Sequence, residues 1–256
     1  MEFRFDVTEF EQEWTERALE NFNEDGWFTD VLYRVKPGKE ATVYCCKANP
    51  ETGHDLIAAK VYRHRRLRSM RNYGQYREGR QITSDRRLQR AMRKKSEAGK
   101  NVQDNEWIHH EFGTIRRLHD MGADVPEPLA EDETALLMAY VGDEDRAAPL
   151  LHETALDEEE AHELFGRLMY NVELFLGGNL IHGDLSPYNV LYWDGGVKVI
   201  DFPQAVDPFI NPSAFSLLAR DVERLCQHFA RYGVEASYAD LTADLWERLH
   251  RRELVV

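Results

Sequence analysis

Four polar residues between positions 182 and 201 have the side-chain types and the spacing that phosphoryl transfer requires. Asp184 lies two residues after His182, Asn189 lies five residues after Asp184, and Asp201 lies twelve residues after Asn189. One carboxylate of such a set can orient an acceptor hydroxyl or water and accept its proton, while an amide and a second carboxylate bind Mg²⁺. The pattern predicts a magnesium-dependent phosphotransferase with Asp184 as the catalytic residue and Asn189 and Asp201 as metal ligands.

The residues between the two metal ligands predict a β-hairpin. Residues 190–193 and 197–200 have the composition of short strands, and the turn 194–196 is Asp-Gly-Gly. Because hairpin strands are paired, Asn189 and Asp201 would flank the open end of the hairpin and lie close together.

The C-terminal half of the chain predicts helices. A long helix is predicted to begin with Asp157-Glu158-Glu159-Glu160, and amphipathic helices are predicted over 214–232 and 236–253. Asp221 lies among apolar residues in the middle of the first of these two helices. A buried carboxylate needs hydrogen-bond donors, so we expect Asp221 to bind nearby backbone, in particular that of the catalytic loop. We assign His182 a structural role, because Asp184 already provides the proton acceptor.

Composition excludes several classes of protein. Hydrophobic residues make up 43% of the 256 residues, which is typical of a globular protein. No run of about 18 apolar residues is present, so we expect no membrane span. The cysteines Cys45, Cys46 and Cys226 form no Cys-x-x-Cys pair, which argues against a zinc site or a disulfide framework and fits a cytoplasmic location.

The basic residues are concentrated in one segment. Residues 63–100 contain fourteen Lys or Arg and three Asp or Glu, a net charge of +11 in a chain whose formal net charge is −14. The rest of the chain therefore carries −25. A concentrated basic segment in an acidic protein is a candidate polyanion contact, and a solvated charged loop is the alternative interpretation.

The N-terminal half predicts one helix followed by antiparallel strands. The predicted elements are a helix over 8–22, strands over 31–35, 41–46 and 56–62, a helix over 102–121, an extended connector over 125–129 and a buried strand over 135–141. Lys60 lies in the third strand and Glu111 lies on the second helix. If the two are partners as in kinases, Glu111 positions Lys60 for contact with phosphate.

Six separate stretches resemble motifs of the RIO atypical kinases. They are 38–44 (Gly-Lys-Glu-Ala-Thr-Val-Tyr, the nucleotide loop), 59–62 (Ala-Lys-Val-Tyr, the lysine strand), 107–111 (Trp-x3-Glu, helix C), 148–151 (Ala-Pro-Leu-Leu, after the hinge), 182–189 (the catalytic loop) and 200–204 (the metal loop). The resemblance extends from about residue 10 to about residue 230. The N-terminus is too short for a winged-helix domain, which favours the shorter branch of the family.

The resemblance implies an α+β, two-lobed protein-kinase-like fold, with a small antiparallel β N-lobe and a mainly helical C-lobe. We expect one domain over 1–256, with an N-terminal helix at 8–22, an N-lobe at about 27–138 and a C-lobe at about 142–256. The basic insertion, 63–104, belongs to the N-lobe.

The resemblance also implies the ligands and the residues that bind them. The cofactors are ATP and Mg²⁺, with Mn²⁺ as an alternative. Catalytic residues are Asp184, Asp201, Lys60 and Glu111, and Asn189 and Asp201 bind metal. Nucleotide contacts are assigned to Lys39, Glu40, Ala41, Val43, Lys60, Met138, Ala139, Val141 and Ser186. For Ser186, a turn or capping role is the alternative to phosphate contact.

By the same resemblance, the chain is an atypical serine/threonine protein kinase or ATPase that acts in small ribosomal subunit maturation. The basic segment 63–100 would then contact ribosomal RNA of a subunit precursor. Autophosphorylation is also implied, because RIO proteins can form an aspartyl phosphate at the residue that corresponds to Asp201.

Three other functions are compatible with the motifs. An aminoglycoside-type small-molecule phosphotransferase shares His-Gly-Asp and Ile-Asp, and an acidic acceptor pocket would distinguish it. A ribosome assembly factor could use ATP only as a conformational switch. A pseudokinase is disfavoured, because every catalytic position is filled.

Overall fold

The computed structural model describes residues 9–38, 41–62 and 97–254, with side chains from residue 11 in the first range and from residue 107 in the third. The helices in these ranges are α1 (Glu9–Glu24), α2 (Glu97–Asp120), α3 (Glu158–Gly177), α4 (Ala214–Phe229) and α5 (Tyr238–Arg251). The strands are β1 (Phe28–Pro37), β2 (Ala41–Ala48), β3 (Leu56–Tyr62), β4 (Pro128–Glu131), β5 (Ala135–Ala139), β6 (Val190–Trp193) and β7 (Gly196–Val199). No helix within the described ranges combines the length and the apolar character needed to cross a membrane.

The chain divides into two compact units. Among the described residues, the first unit comprises α1, strands β1–β5 and α2 as far as Phe112, and it ends at Ala147. The second unit comprises residues 113–126 and everything from Ala148 to the end of the described chain.

The strands of the first unit form one antiparallel sheet in the order β1-β2-β3-β5-β4. Its central strand, β3, is buried along its whole length because both faces of the sheet are covered. On one face, Leu19 and Phe22 of α1 pack with Phe28 and Ile57 in an apolar core. On the other face, Ile108 and Phe112 of α2 belong to a second apolar cluster, together with Ala41, Ala58, Tyr62, Leu136 and Met138.

Strand β4 is an element that the sequence did not predict. The Pro-rich stretch 125–129 was predicted as an extended connector, whereas β4 begins at Pro128 and pairs with β5 at the edge of the sheet. A proline is compatible with the first residue of an edge strand, because its missing N–H is not needed by a further strand.

The second unit has a helical core. Buried apolar residues of α3, α4 and α5, including Leu168, Phe175, Leu218 and Leu249, form one continuous cluster. Asp157 precedes α3 as its N-cap, and its carboxylate accepts a hydrogen bond from the backbone N–H of Glu160 at 2.9 Å.

The predicted β-hairpin is present, with its turn one residue shorter than predicted. Asp194 and Gly195 have φ angles of 50° and 74°, and Trp193 pairs directly with Gly196. Positive φ at both central residues makes this a two-residue Asp-Gly turn, which matches the right-handed twist of paired strands. The second strand therefore begins at Gly196 and ends at Val199, one residue earlier than predicted.

Candidate active site

The predicted lysine–glutamate contact is present within the first unit. Lys60 lies in the middle of β3, and its Nζ is 2.6 Å from Oε1 of Glu111 on α2. The Tyr62 hydroxyl donates a hydrogen bond to the other carboxylate oxygen, Oε2. Lys60 is 9% exposed and Glu111 is 0% exposed, so little water screens the pair. The contact fixes the direction of the Lys60 ammonium, as a phosphate-binding lysine requires.

Several side chains predicted to contact the nucleotide share one face of the sheet with Lys60. In antiparallel strands, directly opposite residues point to the same side, and so does every second residue along a strand. Ala41, Val43 and Met138 are placed on the Lys60 face by this register. Their role in nucleotide binding stays a prediction, but their common face agrees with it.

The turn before β2 requires a glycine. The N–H of Gly38 donates to the carbonyl of Ala41 at 2.9 Å, and a Cβ atom at Gly38 would lie 2.5 Å from that carbonyl oxygen. Any larger residue would therefore push the turn open. Lys39 and Glu40, the two predicted nucleotide contacts in this turn, lie outside the described residues.

The predicted adenine contacts, Ala139 and Val141, lie at the end of β5 and just after it. The N–H of Ala139 donates to the carbonyl of Glu127 at 2.8 Å. An adenine contact by Ala139 would therefore use the carbonyl oxygen of Ala139. Tyr140 shares a hydroxyl–hydroxyl hydrogen bond of 2.7 Å with Tyr33 of β1, and burial together with this bond raises the pKa of Tyr140. Val141 follows directly, and its backbone contact with adenine stays a prediction.

Asp221 of α4 holds the backbone of the catalytic loop, residues 182–189. The N–H of Gly183 donates to its Oδ2 at 2.7 Å, and the N–H of Leu185 donates to its Oδ1 at 3.0 Å. These bonds lie on either side of Asp184, so they confirm the predicted backbone-binding role of Asp221. Burial raises the pKa of Asp221 to about 7, although the two N–H donors and the guanidinium of Arg220 lower it in part.

His182 joins the catalytic loop to the metal loop. Its Nδ1 accepts the N–H of Asp184 at 3.2 Å, so the ring proton lies on Nε2, which donates to the carbonyl of Ile200 at 3.1 Å. Burial lowers the pKa of His182 and keeps the ring neutral. The ring also packs against Phe202, with 4.7 Å between centroids. These contacts agree with the structural role predicted for His182.

The two predicted metal ligands lie at the open end of the hairpin. The N–H of Ile200 donates to the carbonyl of Asn189 at 2.9 Å, which places Asp201 next to Asn189. The Asn189 Nδ2 donates to the carbonyl of Asp184 at 2.9 Å, so this bond leaves the amide oxygen for a cation. Asp201 has a φ angle of 73°, a left-handed conformation that is costly for a residue with a side chain.

An amide oxygen beside a carboxylate fits Mg²⁺, which prefers oxygen ligands and keeps several waters or phosphate oxygens of its own. In the part of the chain that the structure describes, no group of three or more His, Cys, Asp or Glu side chains is arranged to hold a metal ion.

Comparison with known proteins identifies the family. A family model of the RIO domain matches residues 42–241 of the chain. The chain belongs to the RIO family. The RIO-type serine/threonine-protein kinase Rio1 of Methanocaldococcus jannaschii is 32% identical over 216 residues, which cover 83% of this chain and 67% of that protein. Human serine/threonine-protein kinase RIO1 is 33% identical over 129 residues, which cover 50% of this chain but only 22% of the human protein.

The solved structures confirm the α+β, kinase-like fold class of this RIO chain. The crystal structure of the Rio2 kinase-ADP/Mg²⁺-phosphoaspartate complex from Chaetomium thermophilum has a TM-score of 0.64. It covers 98% of this chain and 80% of its own, at 19% sequence identity.

Two arginines of α4 contact the catalytic loop of this RIO chain and were missed by the sequence analysis. Arg224 donates to Oδ1 of Asp184 at 2.7 Å, and Arg220 donates to the carbonyl of Gly183. The available signal was their position on the same helix as Asp221, one residue before it and three residues after it. Arg224 lies three positions after Asp221 and four after Arg220, and helical residues at these spacings lie on one face. A buried acid that binds a loop therefore brings Arg224 to the same loop.

The backbone at Ser186 is extended, with φ −167° and ψ 166°, and the residue is 9% exposed. It precedes a 3-10 turn, Pro187–Asn189, without forming a side-chain capping bond. Its carbonyl accepts a hydrogen bond from the N–H of Asn189 at 2.9 Å, so Ser186 has the predicted turn role through its backbone. Phosphate contact by its side chain stays a prediction.

Proposed function

We propose that this RIO chain transfers the γ-phosphoryl group of ATP in a Mg²⁺-dependent reaction, as an atypical serine/threonine protein kinase or ATPase. The catalytic loop carries this proposal: Asp221 holds the backbone on both sides of Asp184, and the hairpin joins Asn189 to Asp201. The buried Lys60–Glu111 pair supports it, because kinases use such a pair for phosphate contact. The names of the relatives, serine/threonine-protein kinases of RIO type, support it further.

Each residue then has a defined task. Asp184 orients the acceptor, a hydroxyl or water, and takes its proton as the acceptor oxygen bonds to the γ-phosphorus and the phosphorus–oxygen bond to ADP breaks. Asn189 and Asp201 would hold Mg²⁺, or Mn²⁺ in its place. When bound, this cation neutralises phosphate charge. Lys60, directed by Glu111, contacts the phosphates.

We further propose that Asp201 can accept the phosphoryl group itself. The Rio2 kinase complex of Chaetomium thermophilum contains a phosphoaspartate, and the strained backbone of Asp201 is a feature that clusters at functional sites. After incubation with γ-labelled ATP, the protein should carry label that hydroxylamine releases, and Asp201→Asn should carry none. Label that resists hydroxylamine would point to serine or threonine as the acceptor.

The binding partner that we propose is a precursor of the small ribosomal subunit, bound through the basic segment 63–100. The support is charge alone, since +11 in one segment exceeds what solubility requires. RNA affinity should fall steeply with salt, and replacing the arginines of this segment should reduce that slope. A flat salt response would contradict RNA binding. A cytoplasmic location agrees with Cys45, Cys46 and Cys226 being buried free thiols.

The decisive experiment measures ATP turnover with and without small-subunit particles. Wild type should hydrolyse ATP, while Asp184→Ala and Asp201→Ala should lose at least a hundredfold in rate, a size typical for removal of a proton acceptor. Arg248→Gln is a matched control, because Arg248 pairs with Glu173 in the same unit and touches neither loop. Equal turnover in all four proteins would refute the proposed phosphoryl transfer. Stimulation by particles without protein phosphorylation would favour the ATP switch over the kinase.

A further inference from the structure

The Asp184 side chain is held by a residue outside the catalytic loop. Arg224 Nη1 donates to Asp184 Oδ1 at 2.7 Å, a short bond typical of a charged donor and a charged acceptor. Both side chains are 36% exposed, so the pair lies at the surface of the second unit. Arg224 contacts the reactive carboxylate itself, whereas Asp221 accepts hydrogen bonds from the backbone of the loop and Arg220 donates to the carbonyl of Gly183.

The loop alone does not fix that carboxylate. The backbone N–H of Asp184 donates to His182, and its carbonyl accepts from Asn189, so the main chain is held on both sides. These bonds leave rotation about the side-chain bonds of Asp184. The bond to Arg224 removes this rotation and leaves the second oxygen, Oδ2, for an acceptor.

We propose that Arg224 is a positioning residue for phosphoryl transfer: it binds Oδ1 of Asp184 and directs Oδ2 toward the acceptor hydroxyl or water. This inference rests on the proposed function, in which Asp184 takes the acceptor proton. Orientation of a reacting group lowers the barrier without changing the affinity for a second ligand elsewhere. Arg224 should therefore affect kcat and leave ATP affinity almost unchanged.

The competing interpretation is an ordinary surface ion pair. Exposed pairs contribute little to stability and nothing to catalysis. The chain offers a direct comparison, since Arg248 forms two bonds with Glu173, at 2.6 and 2.9 Å, between α5 and α3. Those side chains are 28% and 23% exposed. Arg248→Gln removes an ion pair of similar burial from the same unit without touching the catalytic loop.

The test compares Arg224→Gln, Arg224→Lys and Arg248→Gln by ATP turnover, nucleotide affinity and thermal unfolding. We expect Arg224→Gln to lower kcat about tenfold, equivalent to about 1.4 kcal/mol of barrier. Its ATP affinity should stay within about twofold of wild type, and its thermal unfolding should resemble that of Arg248→Gln. Arg224→Lys should recover part of kcat because it restores a cation at Asp184. Arg248→Gln should keep wild-type turnover.

A double-variant series separates positioning from general effects. In an Asp184→Asn background, Arg224→Gln should cause no further loss, because the group that Arg224 directs is already absent. An equal loss in both backgrounds, an unchanged kcat in Arg224→Gln, or a raised kcat would each overturn the inference. The raised kcat would show that Arg224 blocks Asp184. If Asp184→Asn turns over ATP as fast as wild type, the proposed function is wrong, and the proposed role of Arg224 is wrong for that reason alone.

Discussion

The Lys60–Glu111 pair makes a quantitative prediction about folding. Lys60 Nζ and Glu111 Oε1 are 2.6 Å apart, with side chains that are 11% and 1% exposed. Two unit charges about 3 Å apart attract by about 5 kcal/mol at an effective dielectric constant of about 20. Part of this attraction offsets the hydration that both charges lose on burial. Removing one partner leaves the other charge buried and unpaired, which costs about 3 kcal/mol of stability. Both Lys60→Met and Glu111→Leu should therefore destabilise the protein by about this amount.

The double variant decides whether the reasoning holds. Lys60→Met with Glu111→Leu removes both charges, so no unbalanced charge remains buried, and the double variant should be about 2 kcal/mol more stable than the sum of the single losses predicts. The free energy of unfolding is measured by urea denaturation for wild type, the two single variants and the double variant. The comparison requires that all four have the same m-value. The pair of Arg248 and Glu173 is more exposed than Lys60 and Glu111 and serves as the control, with an expected coupling of about 1 kcal/mol or less. Strictly additive losses at Lys60 and Glu111 would refute a buried pair.

Two further predictions concern pH and use urea unfolding between pH 4 and 8. Asp221 has a pKa raised by burial to about 7, against about 3.9 when unfolded, so the native state binds the extra proton in this window. Wild type should lose stability relative to Asp221→Asn by a few kcal/mol as pH rises from 4 to 7, and parallel curves would contradict this. His228 has a pKa lowered to about 4 by burial and by the nearby Arg231 and His152, so the unfolded state binds the extra proton. The protein should therefore lose about 3 kcal/mol of stability as pH falls from about 6.5 to 4, and His228→Phe should abolish this loss. If the variant loses as much stability as wild type over this pH range, the prediction is wrong.

Local sequence pattern was enough for the elements that carry the site. The alternation and turn residues of 190–200 predicted the hairpin, and the error of one residue arose because Asp194 and Gly195 alone can form the turn. The apolar surroundings of Asp221 predicted a buried acid, and the cost of burying a carboxylate predicted its backbone partners. In each case the residues that decide the structure are neighbours along the chain or on one helix.

Contacts between distant segments were not predictable in the same way. Tyr33 meets Tyr140, and Arg224 meets Asp184, across 107 and 40 residues of sequence. The local sequence does not reveal either pair, because a tyrosine or arginine at these positions would look the same in the sequence if it were simply exposed to solvent. The Lys60–Glu111 contact is the instructive exception, since 51 residues separate its partners. It was predicted because the kinase resemblance supplied the pairing, which no local pattern contains.

The structure also explains why the catalytic loop needs a helix to hold it. Gly183 has a φ angle of 80° and the loop lies outside any strand ladder, so its own backbone provides little to fix Asp184. Each backbone N–H bonded to the buried Asp221 side chain contributes about 0.5–1.5 kcal/mol, and up to about 3 kcal/mol when the carboxyl group is ionised. Arg220 adds a bond to the carbonyl of Gly183. Because α4 binds three consecutive residues of the loop, a shift of this helix would move the Asp184 backbone and its carboxylate together.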